Sequence, residues 1–234
     1  MLHSWLMTPI NNAPLVVFRW FFGFLIAAET FGAILTGWVR ENLVDPQFTF
    51  SFLDLPWWQP LPGNGMYYYF ATVGILGLMV MLGYRYRAAM LGFALLWTGA
   101  YLMQKSAYNN HYYLLVLLCW LMCLLPAHRA ASLDARRQPG IRSHFMPRWC
   151  TVVLVGQMAI AYVYGALAKI YPHWLDATFI RRAFTGRYEH PALAALFDHS
   201  WFHYFISYGG IFFDLFIIPL LLWRKTRVPA FVVA

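Results

Sequence analysis

From Pro14 to Gly37 the chain runs with only two charges, Arg19 and Glu29. Five more apolar runs follow: Met66 to Gly83, Ala88 to Met103, Tyr112 to Leu125, Trp149 to Ala168 and Phe202 to Trp223. Among these five the only Asp, Glu, Lys or Arg is Asp214. About 20 apolar residues make a helix long enough to cross a bilayer. In hydrocarbon every backbone polar group must be paired internally, which leaves helices or a closed barrel. A barrel needs period-two alternation, and these runs lack it. The expected fold is therefore all-α, a polytopic transmembrane helical bundle of about six spans, the third and fourth being short. Val228 to Ala234 reads as the start of a seventh span, so residues 1–234 are expected to form a single transmembrane domain cut short at its C-terminus. The N-terminus has no basic segment followed by a cleavage site, so no cleaved signal peptide is expected. No internal repeat or flexible linker interrupts the chain.

Charge sets the orientation. Only 11% of residues are charged, against about 25% in soluble domains, too few to coat a water-facing globule. The net charge of +8 invites a nucleic-acid reading. The basic residues instead flank the apolar runs, as in membrane proteins, so no nucleic-acid partner is expected. Arg85 and Arg87, the five arginines from Arg129 to Arg148, and Arg224, Lys225 and Arg227 share one side if there are six crossings. Arg40, Lys105, Arg181, Arg182 and Arg187 share the other. Ten positive charges against five make the first side cytoplasmic, with the N-terminus inside and Lys105 outside. The long outer segments, Arg40 to Gly65 and Tyr171 to Trp201, are rich in aromatics and proline. They read as an irregular aromatic lid at headgroup level.

Charges within spans are costly and are candidates for function. Arg19 and Lys169 lie near span ends and are expected to snorkel to the surface. Glu29 and Asp214 lie deeper, and either could meet Lys169 across the bundle. The bland alternative for all four is structural support. Cys119 and Cys123 are four apart on one helix face and, with Cys150, read as apolar packing residues without a disulfide. His199 and His203 are also four apart, but His111, His173 and His190 are too scattered to complete a histidine-box pattern, and no metal site is expected.

The most polar stretch between runs is Gln104 to Tyr113. Lys105, Asn109, Asn110 and His111 fall within it, beside Tyr108. The asparagines offer donors and acceptors, and His111 exchanges protons near neutral pH. A lysine held partly out of water loses its proton more readily and can act as a base toward a weakly acidic hydroxyl. A membrane setting suits a lipid-soluble substrate such as a quinol.

The stretch Lys105-Ser-Ala-Tyr-Asn-Asn-His-Tyr-Tyr-Leu114 resembles the Lys-Thr-Ser-Trp-Asn-Asn-His-Ser-Tyr-Leu segment of the vitamin K-dependent γ-glutamyl carboxylase family, whose shared membrane domain is called HTTM. Arg19 to Leu25, Pro60 to Pro62, Met66-Tyr67, Tyr84-Arg85, Gly156-Gln157, Tyr164 to Lys169, Trp174, Gly209-Gly210 and Asp214-Leu215 match in order. The resemblance implies Lys105 as the catalytic base, with Tyr108, Asn109, Asn110 and His111 around the substrate. It implies reduced vitamin K with O2 and CO2 as co-substrates, and a glutamate-containing peptide as acceptor. It points to a bacterial-type inner-membrane member. The lumenal region with which the carboxylase grips its substrate is not among these residues, and the first outer loop holds no histidine. Two alternatives stay open: a quinone- or lipid-binding module without turnover, and a transporter, for which no inverted repeat speaks.

Overall fold

The computed structural model describes residues 1–53, 57–184 and 197–234. Leu55 and Pro56 of the first outer loop, and Arg187 and His190 of the second, lie outside the described residues. The chain divides into two compact units, Met1–Leu154 and Val155–Ala234.

The first unit begins with α1 (Leu2–Met7) and the short strand β1 (Pro9–Asn11). Four long helices follow: α2 (Ala13–Leu35), α3 (Gly65–Leu82), α4 (Tyr86–Met103) and α5 (Asn110–Leu124). After α5 come α6 (Leu133–Arg137), strand β2 (Phe145–Pro147) and α7 (Trp149–Ala168), whose C-terminal part lies in the second unit. The remainder of that unit contains α8 (Pro172–Leu175), α9 (Thr178–Phe184), α10 (Ser200–Leu222) and α11 (Arg227–Val233).

All six expected spans are helices, within about two residues at each end. Among the described residues, α2, α3, α7 and α10 are long and apolar enough to cross a membrane. The 15 residues of α5 reach about 22 Å, short of a hydrocarbon core of about 30 Å. Two features depart from the expectation. β1 and β2 pair antiparallel, with Ile10 opposite Met146. Part of the segment from Tyr171 to Trp201 folds into α8 and α9 where an irregular loop was expected; its one described proline, Pro172, is the first residue of α8, where helices tolerate it.

Along α2 the buried residues Leu15, Arg19, Phe22, Ile26, Thr30 and Ala33 recur every three or four positions, so one face packs inward. Close approach to α3 depends on Gly23: a Cβ there would stand 2.4 Å from the backbone N of Met81. Small residues at a crossing let helix backbones touch where lipid supplies no hydrophobic drive.

One end of the first unit is locked by Arg19. Its side chain is fully buried, not snorkelled as expected. Nη1 donates to the carbonyls of Ala127 (2.8 Å) and Ala130 (3.2 Å), and Nη2 to Ala131 (2.6 Å). These carbonyls follow α5, where the chain has no helical donors left to satisfy them. They take the guanidinium before it can reach the surface. Gly83 closes α3 with a left-handed φ of 63°, a conformation natural to glycine. Asp134 accepts from the Arg85 and Tyr86 backbone N–H groups at 2.8 and 2.9 Å, capping α4 from a distant segment.

Candidate functional site

The opposite end of the first unit carries the Lys105 stretch. Gln104, in extended conformation (φ −137°), is buried, and its amide ties two loop strands: Nε2 donates to the Asn42 carbonyl at 3.0 Å and Oε1 accepts from the Phe50 N–H at 3.3 Å. The Lys105 N–H donates to the Phe50 carbonyl at 2.5 Å. Residues 105–107 form one 3₁₀ turn. Gln104 is buried, whereas Lys105, the first residue of the 3₁₀ turn, is exposed. The expectation of an amine already withdrawn from water is therefore corrected.

What Lys105 does meet is an aromatic rim. Its Nζ lies 5.8 Å from the centre of the Phe52 ring. Phe52 stacks on Tyr101 at 5.1 Å, and Tyr108 lies within 6.3 Å of both. Tyr113 adds a further ring 6.3 Å from Tyr101. From the first outer loop Trp58 docks onto α4, donating its indole N–H to the Gly99 carbonyl at 3.2 Å.

The other motif residues have local partners. Asn109 is the N-cap of α5: its Oδ1 accepts from the His111 and Tyr112 N–H groups at 2.7 and 3.2 Å. The Tyr108 hydroxyl donates to Asn110 Oδ1 at 2.7 Å. His111 is exposed on the first turn of α5.

Two spaces lie beneath. The cavity lined by Trp38, Phe70, Trp97, Tyr101, Gln104 and Tyr112, among others, measures about 20 Å3. That is room for about one water and not for a bicyclic ring. On the other side of Trp38 and Tyr112 lies a groove of about 380 Å3, lined also by Leu25, Ala28, Glu29, Gly32, Ala33 and Thr36 of α2. Its volume falls in the range of small-molecule sites, roughly 300–1,000 Å3. The Tyr112 hydroxyl donates to Glu29 Oε1 at 2.8 Å.

In the second unit Lys169 and Asp214 form an ion pair. Of the two carboxylates proposed for Lys169, Asp214 is the partner, and Glu29 is bound to Tyr112 instead. Trp174 lies 5.7 Å from Lys169 Nζ and donates its indole N–H to the Ser207 carbonyl at 2.9 Å. A Cβ on Gly165 would stand 3.2 Å from Asp214 Oδ2. The motif residues Gly165, Lys169, Trp174, Gly210 and Asp214, read separately in sequence, thus meet around one ion pair.

His199 stands at the N-cap position of α10 without a side-chain cap bond, while the His203 ring pairs with the Phe197 carbonyl at 2.5 Å. Among the described residues no group of three His, Cys, Asp or Glu side chains is placed to hold a metal, and all three cysteines are free. Sequence reading passed over Tyr112, Trp38, Gln104 and Asp134. The need of Glu29 for a donor was a usable signal, but a chain with 15 tyrosines does not say which one answers it.

No solved structure matches the chain. The family model of the HTTM domain matches residues 7–234, nearly the whole length, and the chain belongs to the HTTM domain family.

Proposed function

We propose that this membrane protein is a quinol-dependent enzyme related to the vitamin K-dependent carboxylases, with Lys105 as its base on the extracytoplasmic face. Membership of the HTTM family supports the relation. The observation that carries the reading is the amine of Lys105 standing over the Phe52 ring, at the edge of a cluster of aromatic side chains on which a flat ring can stack. A bound ring would stack on this rim with its hydroxyl beside the amine. Lys105 then takes the proton of a hydroquinone hydroxyl. The oxyanion reacts with O2, and the alkoxide that follows takes a γ-proton from a glutamate side chain of a peptide. The carbanion adds to CO2. Asn109 caps the first turn of α5 and so fixes the backbone that carries His111 and Tyr112.

The test is epoxide formation by membranes supplied with reduced vitamin K, O2 and CO2. Lys105→Ala is expected to abolish it; unchanged formation would exclude the lysine mechanism. A second reading, a quinone- or lipid-binding module without turnover, is favoured by the exposure of Lys105 and the roughly 20 Å3 cavity behind it. Quinol binding with no epoxide from the wild-type protein would select that reading.

A further inference from the structure

The end of the first unit away from Lys105 carries a groove of about 500 Å3, where α2 and α3 meet the connection from α5 to α6. The volume falls in the range of small-molecule sites. Its lining has two halves. Trp20 of α2 and Met81 and Leu82 at the end of α3 form an apolar half. Leu133 and Arg136, three apart on one face of α6, complete the lining with Ala131 and Ser132. Leu82 is the last residue of a span, which sets the groove at headgroup level, where tryptophan is favoured. The walls are fixed by hydrogen bonds. The Ala131 carbonyl accepts from Arg19 Nη2 at 2.6 Å, and Ser132 Oγ accepts from the Ala135 N–H at 2.9 Å.

The charge in this groove is unbalanced. Arg136 is exposed and forms no ion pair among the described residues. No acid is in the lining. Asp134, the nearest acid in sequence, spends its two carboxylate oxygens on the Arg85 and Tyr86 N–H groups. The next arginine, Arg137, lies over the Tyr84 ring at 5.3 Å. A permanent cation beside exposed Trp20 and Leu82 specifies an occupant with an anionic head and a hydrocarbon tail. An acidic phospholipid has both, and the bilayer supplies it. A phosphate fits the planar guanidinium fork, and basic pockets between membrane helices suit such headgroups. A zwitterionic phospholipid brings its own cation and gains less from Arg136. A free phosphate would leave the apolar half uncovered.

We propose that the Trp20–Arg136 groove binds an acidic phospholipid, whose phosphate pairs with Arg136 while the upper part of its chains lies along Trp20, Met81 and Leu82. The proposal does not depend on Lys105 being a base.

The experiment is native mass spectrometry of the whole protein in detergent, titrated with dioleoylphosphatidylglycerol and with dioleoylphosphatidylcholine. The first phosphatidylglycerol is expected to bind at least about fivefold more tightly than phosphatidylcholine, the worth of one arginine against an anionic headgroup. Arg136→Gln is expected to bring the two affinities within about twofold of each other. Arg137→Gln removes the same charge one residue away and is expected to keep the preference. Trp20→Ala is expected to weaken both lipids, because both lay chains on that ring. Glycerol 3-phosphate, a phosphate head without chains, is expected to bind at least about tenfold more weakly than phosphatidylglycerol. Unchanged melting temperatures identify folded variants. Equal affinity of the wild-type protein for the two lipids overturns the proposal, as does a preference that survives in folded Arg136→Gln. A preference lost equally in Arg137→Gln assigns it to diffuse surface charge and overturns the site. Unweakened binding by folded Trp20→Ala, or glycerol 3-phosphate binding as tightly as the lipid, overturns the placement of a lipid in the groove.

Discussion

Replacing Arg19 by methionine removes the lock at one end of the first unit while keeping an unbranched apolar stem. Three carbonyls, of Ala127, Ala130 and Ala131, then lose their donor. A hydrogen bond to a charged group contributes about 1.5–3 kcal/mol net, and a stranded buried acceptor costs about 1–3 kcal/mol. Summing three such terms overshoots, because burying the guanidinium itself costs several kcal/mol, which methionine avoids. A net loss of about 3 kcal/mol is expected. For a chain of this size that lowers the melting temperature by about 6–12 °C. Arg19→Lys keeps the charge but not the planar fork that reaches several carbonyls at once, so it is expected to fall between the two. The assay is thermal unfolding of the purified protein in detergent, followed by far-ultraviolet circular dichroism. A methionine variant that melts within about 2 °C of wild type would show that the three bonds merely balance the burial of the charge, and the lock would be no lock.

Lys169→Met strands the Asp214 carboxylate inside the second unit and is expected to cost about 3–5 kcal/mol, while Lys169→Met with Asp214→Leu recovers most of that loss; thermal melts of the three proteins decide it. Asn109→Ala removes the cap that serves two N–H groups of α5 and is expected to cost about 1 kcal/mol, read as a lower unfolding midpoint. Burial first, then the neighbouring arginines Arg87, Arg129 and Arg19, hold the His128 imidazole below its ordinary 6.5, with Asp134 opposing them. The folded chain therefore disfavours the charged ring. The stability from neutral His128 is whole above about pH 6.5 and declines as pH falls below it, because the unfolded chain binds the proton first. His128→Phe keeps the stacking on Tyr86, whose ring centroid lies 5.3 Å away, and is expected to flatten the fall in melting temperature between about pH 7.5 and 5.5.

The spans were legible because apolar runs free of charge have few ways to fold in lipid. Helix ends came within a residue or two for the same reason: polar residues such as Asn64, Gln104 and Asn109 stand where the runs stop. The β1–β2 ribbon was not legible. Three-residue strands carry no period, and their pairing joins positions more than a hundred residues apart. The partner of Lys169 was left open between two acids, and the structure selects Asp214. Glu29 and Asp214 are the same kind of signal in sequence, an acid in an apolar run. Only the packing tells them apart, giving one an ammonium and the other a phenol. Lys105 was located correctly on its turn, but that the 3₁₀ turn leaves its side chain exposed beside a buried Gln104 is invisible to composition.

The intramembrane charges can be sorted by how completely their neighbours use them. Arg19 donates to three carbonyls through Nη1 and Nη2, while its buried Nε–H has no partner among the described residues. Lys169 and Asp214 neutralise each other, with their side chains 25% and 14% exposed. Glu29 differs from all three. It has a neutral donor on one oxygen, an exposed position and a groove of about 380 Å3 in front of it. A carboxylate placed for stability alone would be expected to gain a cation or further donors, since desolvating it with a single phenol as compensation loses free energy. The same logic sets the order of experiments: variants at Arg19, Lys169 and Asp214 should change melting temperature first and ligand binding only through it.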